Sequence, residues 1–392
     1  MSKTSLAANK LIFLLAAIIA TTPLAIDMYL PAMPVIAAQL GSDLSHVQQS
    51  ISIFLFCYAI SQVIAGPLAD HIGRRRLAFI GLLGFSFSSY MLAMTDNIES
   101  FLIFRSLQAL FGAFFSVVIP GIVQQIYREN TAKGMSYLSM IMMIAPLLAP
   151  GIGSLLLQLH SWRAIFIFLG GYAMIMVLLA IRFLPNAPKP TLRRRKRDIL
   201  DGYRLIFSNK QARPFLIGTM LSSFSFFCYI TAIPFVYLEY YAVSIQAFPF
   251  YFAFNVSFVI LANIINSRLS VRLGAVKMLT LGMFFGVCVA VLLCLVTWFE
   301  MPFIYTMLLL GPLMSSLSLI ATNSDALVLM RFKEHTGSAA ATIGALRFGS
   351  GALAGPLLLV LHNGTPLPFT MLMLTALVIV VLTRTKEHKA VV

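Results

Sequence analysis

The chain has 392 residues, 59% of them hydrophobic and only 10% charged, with a mean hydropathy of +0.91. Soluble proteins carry about 25% charged residues, so this composition excludes a water-soluble domain and points to lipid as the solvent. The excess of 28 basic over 13 acidic residues does not mark a nucleic-acid binder, because the basic residues occupy short gaps between apolar runs, where membrane orientation is decided.

Lys3 and Lys10 precede the first apolar run, and with many apolar segments downstream that run is expected to be an uncleaved span rather than a signal peptide. About 20 apolar residues cross a hydrocarbon core of about 30 Å. By that measure the expected spans are 11–38, 48–68, 77–95, 99–125, 134–158, 163–184, 213–236, 247–267, 277–298, 302–324, 338–361 and 366–383. In lipid they must be helices, since backbone groups find no other partners there. With the N-terminus in the cytoplasm, 25 Lys and Arg fall on the cytoplasmic side. One, Arg163, falls outside, and Arg105 and Arg347 lie within spans. A bias of that size supports the span count, the orientation and cytoplasmic placement of both termini.

The segment 184–204, rich in proline and then in arginine, divides six spans from six. The expected organisation is an N-terminal six-helix bundle over 1–184, a basic cytoplasmic linker over 185–212 and a C-terminal six-helix bundle over 213–392. The basic run 193–197 suits anionic lipid headgroups. The halves are weakly related: aligning Gly73 with Gly274 brings Leu68 onto Leu269 together with the basic flanks. Transporters are commonly built from such repeats, with substrate bound near the midplane.

The stretch IDMYLPAMP (26–34) sets an acid and two prolines at the end of the first apolar run. From Leu11 to Ile26 a helix rises about 24 Å, too short for a core of about 30 Å. The first helix is therefore expected to carry on through Asp27 to about residue 38, with Asp27 inside the membrane. Intramembrane acids are rare and functional. Arg105, the one charge of the fourth span between Glu99 and Arg128, lies at a similar depth and is expected to meet Asp27. An Asp beside Arg stays ionised, whereas one desolvated and unpaired takes a proton.

Several motifs resemble one family. Gly66-x-Leu68-x-Asp70-x-x-Gly73-Arg74-Arg75 is similar to the signature loop of the major facilitator superfamily. Asp27-Met28-Tyr29-Leu30-Pro31-Ala32-Met33-Pro34 resembles the first-helix hallmark of its bicyclomycin-resistance type of drug/proton antiporter. Leu102-x-x-Arg105-x-x-Gln108-Ala109 resembles the fourth-helix proton-coupling motif, and Ala145 to Gly153 the fifth-helix antiporter motif. Ala109 and Ala145 stand where the family pattern has Gly. The resemblance implies an all-α membrane protein of 12 transmembrane helices, two six-helix bundles around a central cavity. It implies an inner-membrane multidrug efflux protein that exchanges protons for drugs. Asp27 would carry the proton with Arg105 as its electrostatic partner. Gly66, Asp70, Gly73, Arg74 and Arg75 would form a cytoplasmic latch, and Pro146 and Pro150 would shape the fifth helix for rocking of the halves.

Residues expected to meet substrate are Tyr29, Met33, Gln108, Met143, Phe227, Tyr229, Asn255 and Asn323, since Met and aromatic side chains adapt to varied greasy ligands. Arg347 lies about nine residues into its span; it either meets an acidic substrate group or Asp325, or snorkels to the headgroups. Asp325 is expected at the inner boundary of the tenth span. The partners expected are a small amphipathic substrate, protons and membrane lipid, with no nucleic acid, and the protein is expected to act as a monomer. The four cysteines lie in apolar runs with no metal spacing. No nucleotide loop or zinc motif is present, so neither cofactor nor metal nor enzymatic activity is expected. The competing reading is a carrier of a physiological metabolite such as an amino-acid derivative, small peptide or sugar.

Overall fold

The computed structural model describes residues 3–127, 131–184, 204–332 and 336–388. Among these, twelve helices are long and apolar enough to cross a membrane. They run Leu11–Gln39, Leu44–Ala69, Arg74–Ala93, Ile98–Gln124, Tyr137–Leu159 and Trp162–Phe183 in the first half, and Lys210–Tyr240, Phe248–Leu273, Ala275–Trp298, Phe303–Arg331, Gly337–Leu361 and Leu367–Arg384 in the second. Most of the expected linker, 185–203, lies outside the described residues, as do Arg128 and Lys333. The chain divides into two compact units, Met1–Arg193 and Arg194–Val392.

The boundaries follow from local chemistry. The second and third spans meet at Gly73, whose φ of +94° and ψ of 141° belong to a region essentially reserved for glycine. Gly274 joins the eighth and ninth spans with φ +82° and ψ 151°. The two halves thus turn the same corner with the same residue. Arg74 to Arg76, expected in the loop, already belong to the third helix. The tenth helix runs on to Arg331, past the expected end at residue 324, so Asp325 lies within it rather than at its boundary.

Lipid tails are as apolar as leucine, so helices associate in membranes through close packing and polar contacts rather than by expelling water. The first unit follows that rule. A β-carbon on Gly84 would stand 2.3 Å from the Phe111 ring, and one on Gly81 2.8 Å from the Phe111 carbonyl oxygen, so the third and fourth helices touch nearly backbone to backbone. Ser86 donates to the Gly170 carbonyl at 2.8 Å, tying the third helix to the sixth. Isoleucine, leucine and phenylalanine side chains such as Phe13, Ile103, Phe284 and Leu382 remain exposed, as a lipid-facing surface requires.

Candidate functional site

The first span carries on through Asp27 to Gln39, as expected, but its first α-helix does not. It ends there (Lys3–Asp27), turns at Met28 and Tyr29, passes through a single 3-10 turn (Leu30–Ala32) and resumes as Met33–Gln39. Proline explains the break. The nitrogen of Pro31 has no proton to donate to the carbonyl four residues back, that of Asp27, and its ring crowds the same carbonyl. Asp27 is nonetheless only 4% exposed, so the acid lies inside the protein at an interruption of its helix.

No ion pair joins Asp27 to Arg105. Among the described residues the Asp27 carboxylate has no hydrogen-bond or ion-pair partner. Arg105, fully buried, is held by other groups. Its Nη1 donates to the Ala25 carbonyl at 3.1 Å and to Gln108 Oε1 at 2.6 Å. Gln108 Nε2 in turn donates to Ser89 Oγ at 2.8 Å. The guanidinium carbon lies 4.3 Å from the centre of the Tyr29 ring and 4.7 Å from that of Phe54. Two ring faces offer a desolvated cation about 2 kcal/mol or more each. Aromatic faces and a backbone oxygen thus take the place expected for a carboxylate. The Tyr29 hydroxyl shares a 2.9 Å hydrogen bond with Ser50, which fixes the ring under the arginine. Phe54, Ser50 and Ser89 escaped the sequence reading, because nothing in their local pattern says which helix face meets Arg105.

The fifth helix, Thr131–Leu159, carries Pro146 and Pro150 without breaking. Its Gly153 packs on the interruption of the first helix: a β-carbon there would stand 1.7 Å from the Met28 carbonyl oxygen. Met143 on the same helix is half-buried. Met33 is fully buried on the resumed first helix.

At the Gly73 corner, Arg74 donates to the Gly121 carbonyl of the fourth helix at 2.7 Å and Arg75 to the Ile181 carbonyl of the sixth at 3.0 Å. Both contacts satisfy carbonyls next to membrane ends of neighbouring helices. Gly66 sits inside the second helix with open space around its Cα. The side chain of Asp70 lies outside those described.

In the second unit, Pro234 is followed by one π-helical turn, Phe235–Tyr240, a deviation frequent at functional sites. Asn255 Nδ2 donates to the hydroxyls of Tyr229 and Tyr237, at 3.2 and 2.8 Å. Phe227 packs against Gly351 and meets the Phe348 ring at a tilt, with centroids 5.8 Å apart. Asn323 Nδ2 donates to Asn266 Oδ1 and to the Leu319 carbonyl. Tyr229, Asn255, Phe227 and Asn323 are therefore each engaged with neighbouring helices. Arg347 does not snorkel: its Nη2 is ion-paired with Asp325 Oδ2, and Thr219 donates to Asp325 Oδ1 at 2.8 Å.

The family model for the Major Facilitator Superfamily matches residues 15–387. The chain belongs to this superfamily. It is 26% identical over 354 residues to a bicyclomycin resistance protein homolog of Haemophilus influenzae, covering 89% of each chain. It is 29% identical to the uncharacterized MFS-type transporter YdgK of Bacillus subtilis, covering 94% of this chain and 93% of that one. A multidrug transporter MdfA of Edwardsiella ictaluri is 27% identical over 65% of this chain and 63% of its own. The fold is similar to those of the nucleoside transporter NupG (TM-score 0.76, 14% identity, 94% and 96% covered) and the xylose transporter XylE of E. coli (0.74, 14%, 97% of each). The protein is thus a multi-pass membrane transporter of this fold.

Proposed function

We propose that this transporter exports amphipathic compounds from the cytoplasm in exchange for protons, by alternating access. The observation that carries the reading is Asp27: an acid buried at a helix interruption with no ion-pair partner among the described residues. Burying an unpaired carboxylate is costly, and binding a proton removes that cost. A site that is stable when protonated, and that must meet water to release the proton, couples proton movement to a change of shape. Arg105 lies across from it on the fourth helix, bonded to the Ala25 carbonyl two residues before Asp27, so movement of the first helix and the setting of the arginine are mechanically linked. Similarity to a bicyclomycin resistance protein homolog and to a multidrug transporter supports drug-like cargo.

In this reading the units correspond to bundles over 1–184 and 213–392 joined by a basic linker, in an inner membrane, with both termini cytoplasmic and the protein working as a monomer among anionic lipids. Gly66, Asp70, Gly73, Arg74 and Arg75 act as a cytoplasmic latch, while Pro146 and Pro150 shape the fifth helix. Residues such as Met143 in the first unit and Phe227 and Tyr229 in the second are those offered to cargo.

Inverted vesicles holding the wild-type chain and an imposed proton gradient test this. Addition of an exported compound is expected to release protons in wild type and not in Asp27→Asn. Undiminished release in Asp27→Asn would remove the acid from the mechanism. A response to sugars or amino acids and to no drug would replace the cargo.

A further inference from the structure

The Asp325–Arg347 pair sits too deep to be an ordinary surface ion pair. Arg347 is ten residues in from Gly337, where its span begins, about 15 Å along the helix. Asp325 is six residues in from Arg331 at the end of the tenth helix, about 9 Å. Charges at such depth do not face lipid; they face protein or an aqueous cavity. Yet the pair is not sealed. The side chain of Arg347 is 36% exposed and that of Asp325 19%.

The two partners are not equivalent. Asp325 is the more buried, and both its oxygens are engaged, one by Thr219 and one by Arg347. Arg347 spends one nitrogen on Asp325, while Nε and Nη1 have no partner among the described residues. The exposed face of the pair is therefore guanidinium, with donors to spare. The surrounding charge is predominantly of the same sign. Lys210, Arg213, Arg268, Arg272, Lys277 and Arg331 lie at this end of their helices, where the one acid of the last helix, Glu387, also falls, while Glu239 and Glu300 lie at the opposite end. A net excess of one sign beside low-dielectric walls draws in the opposite charge. Guanidinium forks bind carboxylates with geometric preference.

We infer that the free edge of Arg347 is a recognition site for a carboxylate on the transported compound, with Asp325 and Thr219 as the residues that position it. Asp325 holds the long side chain in place across the seventh, tenth and eleventh helices, which lowers the entropy lost when a ligand binds. The inference rests on the reading of the chain as an exporter of amphipathic compounds and names one class of them: acids with an apolar body.

The test is a binding measurement that needs no proton gradient, so it stands apart from the Asp27 experiment. The purified full chain in detergent is titrated with three matched fluorescent probes: dansylglycine (carboxylate), dansylglycinamide (neutral) and dansylcadaverine (cation). Wild type is expected to prefer the carboxylate over the amide. In Arg347→Gln the ratio of carboxylate to amide affinity is expected to fall about tenfold, the worth of one charge-assisted hydrogen bond. Arg347→Lys is expected to retain part of the preference. The double variant Arg347→Gln/Asp325→Asn distinguishes recognition from mere packing, since it removes both charges without leaving either unpaired. It is expected to fold as well as wild type and still lack the carboxylate preference. No preference in wild type, an equal loss for all three probes in Arg347→Gln, or a preference restored by the double variant would each overturn the inference.

Discussion

Gly153 lies against the carbonyl of Met28, so close that a β-carbon at position 153 would stand 1.7 Å from the carbonyl oxygen. The contact joins the fifth helix to the interrupted first helix one residue beyond Asp27. The obstacle is backbone, which cannot rotate away as a side-chain tip can. Gly153→Ala is therefore expected to push the two helices apart at the proton site, at a cost of about 1–3 kcal/mol or more for overpacking. Gly151, two residues earlier on the same helix, has open space where its β-carbon would be. Gly151→Ala is expected to be tolerated. Thermal unfolding of the two variants in detergent, with transport measured beside it, checks the contrast: equal behaviour would mean that the close approach has no role.

Gly73 and Gly274 make the same corner in the two units, and neither has a neighbour within 4 Å of a would-be β-carbon. Their requirement for glycine is conformational alone. Each changed to alanine is expected to destabilise by about 1–3 kcal/mol, the cost of holding a side chain in that backbone region. Because the two sites are far apart in sequence and lie in different units, the double variant is expected to show the sum of the two losses. Unfolding midpoints of the two single variants and the double variant check both statements; a midpoint unchanged by Gly73→Ala would show that the corner relaxes freely.

Much of this architecture was legible in the sequence, and the limits are physical. The spans could be read because charge is excluded from the hydrocarbon and collects at the ends; the Gly73 and Gly274 corners could be read because glycine marks them in both halves. Burial of Asp27 followed from arithmetic on helix rise. The break at Asp27 was written in Pro31, four residues on, but a kink and a break share that signature. The partner of Arg105 was not legible. Depth along a helix fixes height, and pairing depends also on rotation about the helix axis, which put Tyr29, Phe54 and Gln108 rather than Asp27 around the guanidinium. Asp325 was misplaced for a related reason: the polar residues Thr322 to Asp325 interrupt the apolar run, but the helix continues through the apolar stretch Ala326 to Met330 and ends at Arg331.

The Asp27 carboxylate makes no hydrogen bond among the described residues, so replacing it removes a charge without orphaning a partner. Asp27→Asn is expected to fold and insert as wild type does, with an unfolding midpoint no lower than that of wild type, while proton-driven exchange is lost. Binding of an exported compound in the absence of a gradient is expected to persist. An Asn variant that failed to insert would assign the carboxylate a structural task instead. Thermal unfolding and a vesicle proton-release assay on the same preparation separate the two outcomes.

Arg105 is held by rings and by two hydrogen-bond acceptors, and these supports differ in how they tolerate substitution. Tyr29→Phe keeps the ring face and loses the hydroxyl, which bonds Ser50 and interacts with Arg105, about 1 kcal/mol; transport is expected to fall less than in a variant without the ring. Tyr29→Leu removes one of the two ring faces and is expected to cost about 2 kcal/mol, which would lower transport by about an order of magnitude or more. Arg105→Lys keeps the charge but not the planar guanidinium that lies over both rings while its Nη1 reaches Ala25 and Gln108, and is expected to be as impaired as Tyr29→Leu. The discriminating measurement is initial transport rate in vesicles for the three variants at matched protein level. If Tyr29→Phe and Tyr29→Leu were equally impaired, the hydroxyl and not the ring would be what holds the arginine, and the aromatic support for its charge would be excluded.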